Sequence, residues 1–256
     1  IRLSLVGSEM CIRDSDRAAH DVRRHGPLLL LSMTMNPVLC ADRLVVHRGS
    51  RRVIDALDLS VPAGTVYALL GGNGAGKTTT INAFLGFVQA AQGSVSVGGI
   101  DVKRDPQGAR ARVAYLPENV ALYPYLTGLE NLRYFCTLAG LSLARDASRE
   151  LLIKAGLQAD AHERRAVLYS KGMRQKVGLA IAYAKQAQAM LLDEPTSGLD
   201  PAAANDFAER VRDARDAGMA VLMATHDLFN AKQVADHIGI MLSLIHISEP
   251  TRLRRI

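Results

Sequence analysis

The sequence predicts an α/β fold: a core sheet joined to an antiparallel β subdomain and a helical subdomain. Three observations carry this. A short apolar run at 65–70, TVYALL, flows into the glycine-rich GGNGAGKTT at 71–79 and then into a helical pattern. Two further apolar runs, AMLL at 189–192 and AVLMA at 220–224, stop abruptly at Asp193-Glu194 and at Thr225-His226-Asp227. Between them and the first run, about seventy residues (119–188) place their apolar side chains at helical spacing. Short runs that are apolar throughout read as buried strands, and their alternation with helices implies an α/β core.

Taken in order, 39–46 and 53–61 are leucine-rich and β-branched around the turn HRGSRR, which predicts an antiparallel pair. The 65–70 strand follows, then a helix reaching about residue 85. Residues 95–97, before Gly98-Gly99, read as an edge strand, and 113–116 as a strand leading into PENVALYPYLTG. Thr127 and Glu130 fit a capping box opening a helix whose Leu129, Leu132, Phe135 and Cys136 share a face. A second helix spans 145–155 and ends at Gly156; a third opens at YSKGMRQ (169–175) and runs to about 185. Asp200-Pro201 is a helix start with proline at its first position.

The bulk numbers restrict what such a fold does. The 256 residues carry a net charge of +6, which suits an anionic ligand, nucleic acid or an anionic membrane surface alike. Three cysteines without CxxC spacing argue for a reducing compartment and against a thiolate metal site. No apolar run approaches bilayer length, so any membrane spanning is expected from another chain.

The two ends code for one another. LSLIHISEPTR, at 242–252, can be encoded by a DNA string whose reverse complement encodes LVGSEMCIRDS, at 5–15. This looks like a transposase-type sequencing adapter read through at both ends. The expected organisation is adapter-like sequence at 1–15 and 242–256, a leader at 16–36, and one domain at 37–241, truncated at its C-terminus, with the helical subdomain at 119–188. Removing the two end segments lowers the charge from +6 to +4.

Gly71-x-x-x-x-Gly76-Lys77-Thr78 matches a phosphate-binding loop. Glycines let backbone N–H groups turn inward around phosphates, and the helix that follows adds positive potential. Gly71, Gly72, Asn73, Gly74, Ala75, Gly76, Lys77, Thr78 and Thr79 are the candidate nucleotide contacts. Lys77 would reach the terminal phosphates, and the Thr78 hydroxyl would ligate Mg²⁺. Asp193, at the end of an apolar strand, is a further candidate Mg²⁺ ligand. Glu194 is a candidate base for the attacking water. Read alone, the acidic pair also fits a solvated surface. His226 ends the next strand, where ligands of open α/β sheets collect. Glu118 lies in the loop between core and helical insert, where read alone it fits an ordinary surface carboxylate. Ser170 and Gly172 open a helix in a form that both caps it and suits an anion.

In this order the motifs resemble the nucleotide-binding subunit of an ABC transporter, from about 38 to 241. YSKGMRQ stands where that family has its signature motif, AMLLDEP where it has the Walker B strand, SGLD where it has the D-loop, and His226 where it has the switch histidine. The resemblance implies a P-loop NTPase (RecA-like) core that binds ATP and Mg²⁺. It implies two subunits sandwiching two ATP molecules, most simply as a homodimer. Ser170, Lys171, Gly172 and Gln175 would then face the nucleotide of the partner, with Asp200 in the D-loop. Glu194, His226 and Lys77 would be catalytic, and Thr78, Glu118 and Asp193 would hold the metal. An integral membrane permease is the further partner, on the cytoplasmic face of the membrane, and no nucleic acid is expected.

The chain departs from the family pattern at four places. Glu118 replaces the usual glutamine, as in the ABC-2-type exporter branch. Arg48, beside His47, stands where an adenine-stacking aromatic is expected, and Lys171 and Met173 replace smaller or polar signature residues. YLPENVALYPYLTG with YSKGMRQKVGLA is similar to ATPases of copper-site maturation in nitrous-oxide reductase. Multidrug, haem and lipid exporters share much of it. A soluble ABC ATPase acting on ribosomes or DNA is the alternative of another class.

Overall fold

A computed structural model describes residues 2–6, as backbone, and 37–242. Most of both segments expected to be adapter-like, and all of the 16–36 segment expected to be a leader, lie outside the described residues.

The core is a six-stranded parallel sheet in the order β1-β10-β4-β9-β8-β7. Its strands are β1 (Arg2–Val6), β4 (Val66–Leu70), β7 (Val113–Leu116), β8 (Ala189–Asp193), β9 (Ala220–Thr225) and β10 (His237–Met241). A four-stranded antiparallel sheet holds β3 (Arg51–Val61), β2 (Leu39–Arg48), β5 (Gln92–Val97) and β6 (Ile100–Asp101), in that order. β1 lies within the 1–15 segment expected to be adapter-like and pairs in parallel with β10.

Strand alternation divides the interior into two cores. Val66, Ala68, Met190, Leu192, Val221 and Met223 face the helices of the C-terminal half. Their sequence neighbours Tyr67, Leu69, Leu191, Leu222 and Ala224 face the antiparallel sheet and helix α1 (Lys77–Phe84). Both faces are buried, which is why these strands read as continuous apolar runs.

The helical subdomain comprises α3 (Gly128–Leu138), α4 (Arg145–Lys154) and α5 (Lys171–Ala184). The expected capping box is present: Glu130 N–H donates to Thr127 Oγ1 at 3.2 Å, and Thr127 N–H to Glu130 Oε2 at 2.8 Å. Gly178 lets α5 close on β7, because a methyl group there would run into Leu116. The helix that opens at the signature is thereby held against the strand that leads to Glu118.

Several elements were not legible. β5 starts at Gln92, earlier than expected, and pairs with the two-residue β6. α2 (Pro106–Ala111) and α7 (Leu228–Val234) are short, and β10 is an unexpected strand inserted between β1 and β4. α6 (Pro201–Asp216) begins as expected, with Asp200 Oδ1 accepting from Ala203 N–H at 2.9 Å.

Candidate functional site

Register brings the candidate residues together. Leu70 pairs with Thr225, Asp193 with Ala224, and Leu116 with Leu192, so four adjacent strands end at one edge. The loops leaving that edge carry the 71–79 segment, His226, Glu194 and Glu118. Gly74 and Gly76 of the glycine loop have φ of +80° and +105°, a region that glycine enters without Cβ strain.

A cavity of about 420 Å³ is lined by Gly72 to Thr79, Glu118, Asp193 and Glu194, with Arg48, Arg51 and Val53 from the antiparallel sheet. Lys77 is buried at 6% exposure, and its Nζ donates to the carbonyls of Gly71 (2.6 Å) and Gly72 (3.2 Å). The same Nζ stands 3.3 Å from Glu194 Oε1. Glu194 Oε2 accepts from His226 Nδ1 at 2.8 Å and from His226 N–H at 3.3 Å. An ionised carboxylate only accepts, so in this contact His226 Nδ1 is the donor.

Thr78 Oγ1 donates to Asp193 Oδ1 at 3.1 Å. Burial pushes the Asp193 carboxyl above its ordinary value, opposed by the Thr78 hydrogen bond, reinforced by the Glu194 charge, opposed by Lys77 and reinforced by Glu118. A hydroxyl and a carboxylate side by side form a hard oxygen pair. Mg²⁺ takes one or two such protein ligands and completes its shell from phosphate and water, so the residues fit it. Among the described residues no cluster of three or more His, Cys, Asp or Glu forms an all-protein metal cage. The cysteines among them, Cys40 and Cys136, are free.

Glu118 Oε1 accepts from Ser197 Oγ at 3.0 Å and lies 3.7 Å from Lys171 Nζ. One carboxylate thus touches the D-loop-like and signature-like segments of its own chain. A second cavity, of about 510 Å³, shares Glu194 and is lined by Ser197, Leu199, His226 and Phe229 among others.

Ser170, Lys171, Gly172 and Gln175 do not line the glycine-loop cavity of the same chain, although Lys171 reaches its Glu118. Ser170 is exposed and caps α5, its Oγ accepting from Met173 N–H at 3.3 Å. Gln175 corrects an expectation. Grouped with Ser170 as facing a partner's nucleotide, it is 1% exposed, and its Nε2 donates inward to the Pro195 carbonyl. The helical period explains this: a helix that shows residue 170 to solvent turns residue 175 towards the core. Arg48 lines the cavity and His47 does not. Arg51 and Ser197 were missed as site residues; SGLD offered a signal for Ser197, and nothing in the sequence marked Arg51.

Comparison with known proteins agrees with this geometry. Residues 54–197, more than half of the chain, match the ABC transporter family. The daunorubicin/doxorubicin resistance ATP-binding protein DrrA of Streptomyces peucetius is 41% identical over 198 residues, 77% of this chain and 59% of that protein. An uncharacterized ABC transporter ATP-binding protein, YdbJ of Bacillus subtilis (strain 168), is 35% identical over 206 residues, 80% of this chain and 66% of that protein. The chain therefore spans less than two thirds of the length of these relatives. A solved structure described as an ATP binding subunit of an ABC transporter superposes with a TM-score of 0.70 at 31% identity, over 80% of this chain and 88% of that one. Motif order, sheet-edge geometry and these likenesses agree, and the chain belongs to the ABC transporter family, whose ATP-binding domain it carries.

Proposed function

We propose that the chain hydrolyses ATP with Mg²⁺, as one half of a head-to-tail pair of like subunits that drives a separate membrane permease from the cytoplasmic face. One observation carries the reading: the Glu194 carboxylate sits between Lys77 Nζ at 3.3 Å and His226 Nδ1 at 2.8 Å, at the mouth of the glycine loop. The loop's N–H groups and Lys77 bind the phosphates. Thr78 and Asp193, with Glu118 beside them, would hold Mg²⁺, which neutralises charge on the terminal phosphates. Glu194 accepts the proton of the attacking water, and His226 fixes the orientation of that carboxylate and presents Nε2 to the γ-phosphate. Ser170, at the N-terminus of α5, completes the site of the partner subunit, with Lys171 adding charge and Gly172 allowing close approach.

The cargo reading is of exporter type. Identity of 41% to a daunorubicin/doxorubicin resistance protein supports drug-like cargo. The wording YLPENVALYPYLTG supports a second reading, copper-site maturation of nitrous-oxide reductase. The test of the shared site is Ser170→Arg. ATP binding should persist, while hydrolysis and ATP-dependent dimerisation, read by phosphate release and light scattering, should be lost. Surviving hydrolysis would return Ser170 to a helix cap alone.

A further inference from the structure

We propose that Gln175 is a positioning residue. It ties the signature helix α5 to the turn that carries Glu194, so that displacement of α5 at its Ser170 end is passed to the catalytic carboxylate of the same chain. The inference rests on the function proposed above.

Gln175 lies in the second turn of α5 and is 1% exposed. Its Nε2 donates to the carbonyl of Pro195, the residue after Glu194. Its Oε1 is buried with no hydrogen-bond partner among the described residues. An amide with half its capacity unmet is costly inside a protein, and an apolar side chain of the same length would fill the space without that cost. Stability alone therefore does not explain a glutamine here.

The turn it holds needs support. Glu194 has φ of +45°, a region that residues with a Cβ adopt under strain. Pro195 follows and brings no N–H of its own. Glu194 N–H donates to Ala224 O at 2.8 Å, and Ser197 N–H to Glu194 O at 3.2 Å. These bonds anchor the turn to β9 and to itself, whereas Gln175 anchors it to the helical subdomain. The first turn of α5 carries Ser170 and Lys171, the groups offered to the second subunit. Among the described residues, one buried side-chain hydrogen bond thus joins helix and turn, five residues from the point of engagement.

The test is Gln175→Met, measured beside the parent chain and Glu194→Gln. Methionine keeps length and removes both the donor and the unpaired acceptor. The expected result is a Tm equal to or above the parent, unchanged ATP affinity and KM, and kcat lower by about tenfold or more, as for a displaced catalytic group. Gln175→Glu supplies a conservative rescue, because a protonated carboxyl donates to the Pro195 carbonyl and an ionised one repels it. Its kcat relative to the parent should rise severalfold between about pH 8.5 and about pH 6. Parent-like kcat in Gln175→Met overturns the proposal. So does a kcat loss matched by falls in Tm and ATP affinity, or a Gln175→Glu ratio that is flat with pH. A parent chain without hydrolysis sinks the underlying reading instead, whereas normal Glu194 dependence with an indifferent Gln175 sinks this inference alone.

Discussion

Replacing Glu194 with Gln should separate two effects that usually move together. The substitution keeps shape and removes a charge 3.3 Å from Lys77 Nζ. At that distance, with an effective dielectric constant of about 20, the pair attracts by about 5 kcal/mol before desolvation. Much of this is offset, since Lys77 also holds the carbonyls of Gly71 and Gly72 at 2.6 and 3.2 Å. A net competition of about 1–2 kcal/mol between Glu194 and a phosphate for one ammonium is a reasonable residue. Glu194→Gln should therefore bind Mg·ATP about tenfold tighter. Its kcat should fall by about a hundredfold or more, roughly 3 kcal/mol at 1.36 kcal/mol per decade, because the amide cannot take a proton from water. Calorimetric titration gives the affinity and phosphate release gives kcat. Weaker ATP binding would refute the competition for Lys77, and parent-like turnover would refute the role of Glu194 as base.

Asp193 has its carboxyl raised above 3.8 first of all by burial, so the ionised form is the one the fold disfavours. Stability contributed by this group is present below its ordinary value and is lost as pH rises through the raised one. Asp193→Asn should raise Tm at neutral pH and lose that advantage as the pH falls towards 3.8, while abolishing hydrolysis; a Tm gain independent of pH would contradict the burial argument. Thr127→Ala removes the capping bond to Glu130 N–H at 3.2 Å and should cost about 1 kcal/mol, or about 2–4 °C in Tm. An unchanged thermal transition would show that tertiary packing of α3, and not its cap, sets its stability.

How much was legible depended on how local the signal was. Thr127 with Glu130, and Asp200 with Pro201, declare helix starts within four residues, and both helices begin there. TVYALL, AMLL and AVLMA declare strands because burial on both faces leaves no polar positions. β6, with two residues, and α2, with six, are too short for any period to register. β2 hides its register because it is interrupted between Ala41 and Leu44 and again before Val46, with Arg43 at φ of +43°. β10 is hidden for a different reason: five residues with glycine in the middle carry little strand signal until β4 supplies a neighbour.

The sequence by itself determined the glycine loop, the acidic strand end, the histidine that follows the next strand, and their order along the chain. The glycine loop is recognisable as a short string, whereas the acidic pair and the histidine are recognised by the apolar runs that precede them and by their order along the chain. Only the tertiary structure decided which of them meet. Parallel pairing of β4, β9, β8 and β7 aligns four strand ends, and so places Lys77, Asp193, Glu194 and His226 at one edge of the sheet although 149 positions separate the first from the last. It also decided the opposite fates of Ser170 and Gln175. They are neighbours in one motif, but the rotation of a helix between them exposes the first and buries the second against Pro195.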